Sequence, residues 1–266
     1  MKIIVCVKQV PDTSGKVAVN PDGTLNRASM ATITNPDDLN AVEAALVLKE
    51  QTGAEVVVVC MGPPPAEGML RECLARGCDR AVLVSGREFG GSDTYATSQI
   101  LAAAINKIGV DAEDIVMCGR QAIDGDTAQV GPQIAEKLGL PQISYAADIQ
   151  LDGNTVTVKR MLEDGYMTIK VQTPCLITCI KELNEPRYMS VYGIFDCYSK
   201  PYEVLDYNAL KDDPLIDPST IGLMGSPTNI LTSFTPPQKG AGMMLEGADK
   251  ATCDNLAGML AAKHMI

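Results

Sequence analysis

The segment from Gly119 to Thr127, Gly-Arg-Gln-Ala-Ile-Asp-Gly-Asp-Thr, has the residue types and spacing of an anion-binding loop. It lies between an apolar run that ends at Cys118 and a helical pattern that begins at Ala128. The N-terminus of a helix presents free backbone N–H groups and the positive end of its dipole, and both favour a phosphate. The Thr127 hydroxyl adds a further donor. We therefore consider nucleotide binding at this loop.

Two carboxylates in the same loop count against phosphate binding. Asp124 and Asp126 would repel a phosphate unless they point away, cap the helix or bind a hydroxyl group of the ligand. The loop is not a P-loop, since no Gly-Lys-Ser/Thr follows the glycines, and it is not Gly-x-Gly-x-x-Gly. The pattern alone leaves nucleotide binding and a plain capped turn equally open.

Two more loops have a composition suited to a ligand. The segment Asn35–Asp38 (Asn-Pro-Asp-Asp) has the form of a helix N-cap with acidic first-turn residues, which is its simplest explanation. The segment Met61–Pro65 (Met-Gly-Pro-Pro-Pro) is rigid, because prolines fix the backbone and Gly62 permits close approach. It could border a flat ligand such as adenine or flavin, and a plain loop fits equally well.

Conventional catalytic and metal-binding sets are missing from the sequence. The only histidine is His264, and the nine cysteines contain no Cys-x-x-Cys, so we expect no zinc or iron–sulfur site. Neither a Ser/His/Asp nor a Cys/His arrangement is present. This pattern fits chemistry carried by a cofactor, for which the protein supplies binding and orientation.

Short apolar runs alternate with helical patterns through the first two-thirds of the chain. The predicted strands are Lys2–Val7, Glu55–Met61, Arg80–Ser85, Asp114–Cys118, Gln142–Tyr145 and Cys175–Cys179. The predicted helices are Pro36–Thr52, Ala66–Arg76, Thr94–Ile108 and Ala128–Leu138. This alternation predicts an α/β fold with a Rossmann-like, doubly wound, mostly parallel sheet and helices on both faces. Ligands bind such sheets at the carboxyl ends of the strands.

The pattern changes after Tyr145. The runs Asp148–Leu151, Thr155–Leu162 and Tyr166–Gln172 predict an antiparallel hairpin extension of the same sheet. From Leu183 onward Pro and Tyr interrupt any periodicity, until a last helical stretch covers Ala248–His264. For that stretch we prefer packing on a partner to packing on its own domain. We therefore divide the chain into an α/β domain of residues 1–183 and a loop-and-arm region of residues 184–266.

Composition narrows the possible partners. The chain has 266 residues and a formal net charge of −11, which counts against a nucleic-acid binder and against docking on anionic membranes. No apolar run approaches the ~20 residues that span a bilayer, so we expect no membrane insertion. The cysteines without a secretory signal favour reduced thiols and a cytoplasmic location.

Six collinear motifs resemble those of electron transfer flavoprotein β subunits. They are Val5–Val10 (Val-Cys-Val-Lys-Gln-Val), Asn35-Pro36 with Glu43 and Ala44, Met61–Pro63, Gly77–Arg80, Gln121–Asp124 and Leu183–Tyr188. The resemblance covers essentially the whole chain in the right order. It implies a Rossmann-like fold and a heterodimer with an α subunit that carries its own FAD.

In this family the β subunit holds an adenine nucleotide, and the resemblance places its contacts position by position. They fall at Cys6, Asn35, Pro36, Asp37, Asp38, Met61, Gly119, Arg120, Gln121, Ala122, Ile123, Asp124, Gly125, Asp126, Thr127, Ala128, Gln129 and Val130. The resemblance assigns no catalytic side chain and no metal ligand.

The family contains two classes. Ordinary members hold AMP, while bifurcating members hold a second FAD that takes a hydride from NADH and sends electrons to ferredoxin or flavodoxin and to an acyl-CoA dehydrogenase. This chain looks like the bifurcating class, because Gly125 and Ala128 are smaller than the Asp and Asn that AMP-type members tend to carry there. Smaller residues leave room for a pyrophosphate and the second half of a dinucleotide.

The segment after Asn184 looks like the family's recognition loop, which docks on acyl-CoA dehydrogenases. The resemblance places docking residues at Arg187, Val191 and Tyr192, and it likens the C-terminal stretch to an arm that embraces the α subunit. Two alternatives stay open: an AMP-binding β subunit of an ordinary single-FAD carrier, and an adenine-nucleotide sensor resembling the universal stress proteins.

Overall fold

A nine-stranded mixed sheet organises the chain in a computed structural model, which describes residues 1–12, 31–228 and 240–266. Its strands are β1 (Lys2–Cys6), β4 (Glu55–Met61), β5 (Arg80–Val84), β6 (Ile115–Gly119), β7 (Gln142–Asp152), β8 (Thr155–Met161), β9 (Tyr166–Gln172), β10 (Cys175–Cys179) and β11 (Tyr202–Leu205). The order across the sheet is β11-β5-β4-β1-β6-β10-β7-β8-β9. Only the pairings of β7 with β8 and of β8 with β9 are antiparallel, so the predicted Rossmann-like fold with an antiparallel extension is confirmed.

Helices cover both faces of the parallel part. They are α1 (Pro36–Thr52) and α2 (Glu67–Arg76) on one face, and α3 (Thr94–Ile108) and α4 (Val130–Leu138) on the other. The central strands are apolar and buried over most of their length, β6 at every position and β4 from Val56 to Cys60, as strands covered on both faces must be. Each face thus has its own aliphatic core.

Most predicted elements are confirmed within one or two residues, and two boundaries differ for a visible reason. The second helix begins at Glu67, because Pro64–Ala66 forms a separate 3-10 turn in front of it. The fourth helix begins at Val130, not at Ala128, because Ala128 has a φ of 52° that no right-handed helix accepts. A small two-stranded sheet of β2 (Gln9–Pro11) and β3 (Thr32–Thr34) was not predicted.

The antiparallel extension buries one of its faces. Val156 and Val158 are fully buried, whereas Lys159 on the opposite face is exposed and lies over the Tyr166 ring. This alternation matches the prediction for Thr155–Leu162, although the strand ends at Met161.

The loop-and-arm region predicted for residues 184–266 is partly built into the sheet. β11 pairs in parallel with β5 and forms one sheet edge, and Leu205, Leu210 and Ile216 join the core beneath α3. Three short helices, α5 (Val191–Asp196), α6 (Tyr207–Leu210) and α7 (Gly222–Gly225), lie outside the predicted pattern. The last helix, α8, spans Lys250–Ala262, and no residue of 240–266 is buried.

Candidate functional site

The sheet reverses its winding between β1 and β6. From β1 the chain moves outward to β4 and β5, and it then returns to place β6 on the other side of β1. The two strands end side by side, with Cys6 opposite Cys118 in the register. Such a switch point opens a crevice at the carboxyl edge, which is where α/β sheets bind ligands. The segment that follows β6, residues 119–129, is called the switch-point loop below.

Asp38, in the first turn of α1, joins the ends of both strands. One carboxylate oxygen accepts a hydrogen bond from the Lys8 backbone N–H, and the other accepts one from the Gly119 N–H, each at 2.9 Å. Burial raises the pKa of this carboxyl to about 7. A Cβ at Gly119 would lie 2.4 Å from the Asp38 carboxylate and 2.6 Å from backbone atoms of Asp37 and Asp38. Glycine is therefore required for α1 to approach the loop.

Asn35 fastens the start of the switch-point loop. Its side-chain amide donates to the Gln121 carbonyl at 2.8 Å and accepts from the Ile123 N–H at 3.1 Å, and the residue is fully buried. The prediction of an N-cap is thus only half right: Asn35 occupies the cap position, but its side chain makes no capping hydrogen bond. The side chain bonds to a loop 86 residues away in sequence, and no local sequence pattern can predict a contact over that separation.

Arg120 and Asp37 face each other beside these bonds. Arg120 Nε lies 3.3 Å from the Asp37 carboxylate, and both atoms are buried without a hydrogen bond of good geometry among the described residues. Burial raises the pKa of Asp37, and the nearby guanidinium opposes that shift. The pair has unused hydrogen-bonding capacity at the base of the loop.

The loop carboxylates are held away from a phosphate. Asp124 forms an ion pair with the Lys8 ammonium, at 2.7 Å and 3.0 Å to its two oxygens, and Asp126 accepts a hydrogen bond from the Gln121 side chain at 2.8 Å. The sequence left three possibilities for these carboxylates, and the structure shows the first: they point away from the phosphate position and bond to neighbouring side chains. Lys8 was not among the predicted site residues, although its place directly after β1 was a usable signal.

The outer half of the loop has free donors. Thr127 and Ala128 form no hydrogen bond with the described residues, and the N-terminus of α4 has no side-chain cap. Asp126 and Ala128 both have left-handed backbones, with φ of 50° and 52°. Non-glycine residues adopt this conformation at some energetic cost, and such residues cluster at ligand sites. A Cβ at Gly125 would meet nothing within 4 Å, so the space beside the loop is open.

The remaining predicted contacts border the same edge. Cys6 ends β1 and Met61 ends β4, so both lie at carboxyl ends of neighbouring strands. Burial raises the pKa of the Cys6 thiol to about 12, which excludes a thiolate role. Gln129 accepts a hydrogen bond from the Thr94 hydroxyl at 3.0 Å, so the start of α3 supports the end of the loop.

A second feature lies on the outer side of α1 and α2, in residues 184–200, called the tyrosine-rich segment below. Val191 and Tyr192 are about three-quarters exposed, at 74% and 76%, beside the equally exposed Phe195 and Tyr198. Arg187, which the resemblance assigned to docking, is partly exposed and forms ion pairs with the buried Glu43 and the exposed Glu50 of α1. Phe195 was missed by the sequence prediction.

The described residues offer little other chemistry. No group of three or more His, Cys, Asp or Glu among them could hold a metal ion. His264 is exposed near the end of the chain. Within the same residues, no helix is both long and apolar enough to cross a membrane.

Comparison with known proteins identifies the family of this chain. Residues 22–204 match the model of the electron transfer flavoprotein domain, so the chain belongs to that family. The predicted family resemblance is thereby confirmed, and it is favoured over a universal-stress-type sensor.

Individual relatives cover the chain almost completely. It is 67% identical over 267 residues to the acryloyl-CoA reductase electron transfer subunit gamma of Anaerotignum propionicum, with all of both chains covered. It is 52% identical to the caffeyl-CoA reductase-Etf complex subunit CarD of Acetobacterium woodii, over 99% of this chain and 97% of the relative. It is 49% identical to the electron transfer flavoprotein subunit beta of Clostridium acetobutylicum, over the full length of both.

Proposed function

We propose that this chain is the β subunit of a heterodimeric electron transfer flavoprotein and that it holds an FAD at the switch-point loop. The observation that carries the proposal is the pair of residues without hydrogen bonds to the described chain, Thr127 and Ala128, in the loop at the sheet's switch point. There Thr127 and Ala128 lie beside the uncapped start of α4, with open space at Gly125. These backbone N–H groups and the Thr127 hydroxyl would bind a pyrophosphate.

Most of the other predicted contact residues would support the loop and would not bind the ligand directly. Asp38 and Asn35 fix the loop from below, and Lys8 neutralises the carboxylate nearest to the phosphates. Cys6 and Met61, at the strand ends, would border the adenine half of the dinucleotide. A rigid loop whose polar groups are already oriented binds without a large ordering cost.

FAD is favoured over AMP at this site because of the small residues in the loop. Gly125 and Ala128 leave the loop surface open, and apart from the adjoining residues no described atom lies within 4 Å of a Cβ added at Gly125. The same N–H groups would also bind the single phosphate of AMP, so the ordinary AMP-type subunit is the outcome that the experiment below must separate.

A bound FAD would supply the redox chemistry, taking a hydride from NADH and passing electrons to ferredoxin or flavodoxin and, through the FAD of the α subunit, to an acyl-CoA dehydrogenase. Two relatives are named as an electron transfer subunit of acryloyl-CoA reductase and as a subunit of a caffeyl-CoA reductase-Etf complex, which supports this assignment of the electron acceptor. The chain itself offers binding and electrostatics, and none of its side chains is assigned a proton-transfer role.

Two exposed surfaces fit the two protein partners. The tyrosine-rich segment, with Val191 and Tyr192 at its apex, would dock on the acyl-CoA dehydrogenase. Residues 240–266 contain no buried residue and expose Met243, Met244 and Ile266, so we assign this arm to the α subunit.

The cofactor content of the purified heterodimer tests this proposal. The chain is co-purified with its α subunit, the cofactors are released by acid, and the extract is separated by chromatography. We expect two FAD and no AMP per heterodimer. One FAD and one AMP would assign the chain to the ordinary class.

A further inference from the structure

Glu43 is a buried carboxylate near the middle of α1, and its hydrogen bonds within the described residues all come from Arg187. It is 7% exposed, and its two oxygens accept hydrogen bonds from the backbone N–H, Nε and an outer nitrogen of Arg187, at 3.0, 2.9 and 2.9 Å. A buried charge is tolerated only when it is well paired, and this pairing is bidentate. Glu43 therefore fixes both the backbone and the side chain of Arg187.

All three guanidinium nitrogens of Arg187 are already bonded to carboxylates of α1. Its remaining outer nitrogen contacts Glu50 at 2.5 Å, and its carbonyl accepts a hydrogen bond from Arg76. The hydrogen bonds that Arg187 donates to Glu43 and Glu50 hold the pKa of this guanidinium well above its ordinary value. Arg187 is thus held against α1, while Tyr188 next to it is 94% exposed.

Further bonds fasten both ends of the tyrosine-rich segment. Asn184 and Asn40 exchange three hydrogen bonds of 2.8, 3.0 and 3.0 Å at the start of the segment. At its end, the Lys200 ammonium donates to the Leu74 and Cys78 carbonyls at 2.9 and 2.8 Å. Between these anchors the segment projects the exposed side chains of α5 away from the body.

We propose that Glu43 is a positioning residue for docking: it holds Arg187 so that Val191 and Tyr192 are presented in a fixed arrangement. The inference rests on the proposed docking function of this segment. A surface that is ordered before encounter avoids the entropy cost of ordering on binding, so loss of Glu43 weakens docking without removing any contact with the partner. The amide pair of Asn40 and Asn184 keeps the start of the segment in place when Glu43 is lost.

The test uses the intact heterodimer with Glu43→Gln, and the acryloyl-CoA reductase of Anaerotignum propionicum, freed of its electron transfer subunits, as the binding probe. We expect hydrogen exchange in residues 187–198 to rise and affinity for the probe to fall, each about tenfold. Exchange in residues 119–127 and the flavin content stay at the wild-type level. Glu50→Gln, which removes an exposed carboxylate from the same guanidinium, serves as the matched control and changes affinity less than twofold.

Two further variants keep the outcome decisive. Val191→Asp lowers affinity without changing exchange in the segment, because it alters the contact surface alone. If Val191→Asp weakens docking and Glu43→Gln does not, the positioning role of Glu43 is wrong while the proposed docking stands. If Val191→Asp leaves affinity intact, the docking function itself is wrong. Should Glu43→Gln fail to fold, Arg187→Lys, which loses the bidentate contact, takes its place with the same expectations.

Discussion

The switch-point loop and the tyrosine-rich segment are both fastened to α1, but by different chemistry. The first turn of α1 holds the loop through the buried polar side chains of Asn35 and Asp38, which bond to backbone groups. The middle of the same helix holds the segment through an ion pair between Glu43 and Arg187. In each region the anchoring groups are buried and the groups left for a ligand or partner are exposed.

The two regions differ in the chemical groups that remain available for a ligand or a partner. The loop offers backbone N–H groups and a hydroxyl in a partly left-handed turn, which suits an anion. The segment offers aromatic and aliphatic side chains on a six-residue helix, which suits a protein surface. One helix thus supports a small-molecule site at its end and a protein-binding surface along its side. The predictions below test whether the two can be separated.

The largest expected effect comes from Gly119→Ala. The added Cβ would lie 2.4 to 2.6 Å from Asp38 and from the backbone of α1, neither of which can yield without moving the helix. We expect the free energy of unfolding to fall by more than about 4 kcal/mol, above the usual cost of overpacking. Urea unfolding measures this. Gly125→Ala in the same loop is the control and is expected to be neutral, because its Cβ meets nothing; equal losses in both would contradict the close contact at Gly119.

The next largest effect is a pH dependence of the unfolding free energy, produced by Asp38, which holds the switch-point loop. Burial raises the pKa of Asp38 to about 7 from an ordinary value of 3.8. Between these values the folded protein keeps a proton that the unfolded chain has released, so this group makes unfolding easier as the pH rises from about 4 to about 7. Asp38→Asn cannot titrate. The difference in unfolding free energy between variant and wild type should therefore change by up to about 4 kcal/mol over that window.

Urea titrations across this pH window check the prediction for Asp38. Two stability curves that run parallel from about pH 4 to about pH 7 would show that Asp38 is ionised throughout in the folded protein.

A smaller effect is expected from Asn35→Ala. The change leaves the Gln121 carbonyl and the Ile123 N–H without partners in a buried place, which costs about 1–3 kcal/mol. Hydrogen exchange at Ile123 should rise, while exchange in residues 187–198 stays constant. Gln129→Ala, which removes an exposed hydrogen bond from the same loop, is the control. A rise in exchange confined to the tyrosine-rich segment would contradict the assignment of anchors.

The sheet and its helices were predictable because their signals are local. Alternating apolar runs, glycines at helix ends and Pro36 at a helix start define elements without knowledge of the rest of the chain. The loop at residues 119–127 was found for the same reason. Its helix was placed two residues early, because nothing in the sequence marks Ala128 as left-handed.

The anchors could not be predicted, because they join residues far apart in sequence. Asn35 was taken for a helix cap, which its type and position favour, and only the folded sheet brings it to Gln121. The resemblance places Arg187 on the docking surface, but it gives no sign of the ion pair with Glu43, 144 residues earlier, that holds Arg187 against α1. Local pattern reveals which residues lie near a site, but long-range pairing decides which of them face the ligand or partner.

The flavin content of the Gly125→Val heterodimer tests the central claim most directly. Apart from the adjoining residues, no described atom lies within 4 Å of a Cβ at this position, so the variant should fold with wild-type stability while its side chain blocks the ligand's approach to the loop. We predict that the heterodimer loses the loop-bound FAD, keeps the FAD of the α subunit, and binds the acryloyl-CoA reductase probe unchanged. Retention of both flavins at wild-type affinity would show that the dinucleotide does not bind at the switch-point loop.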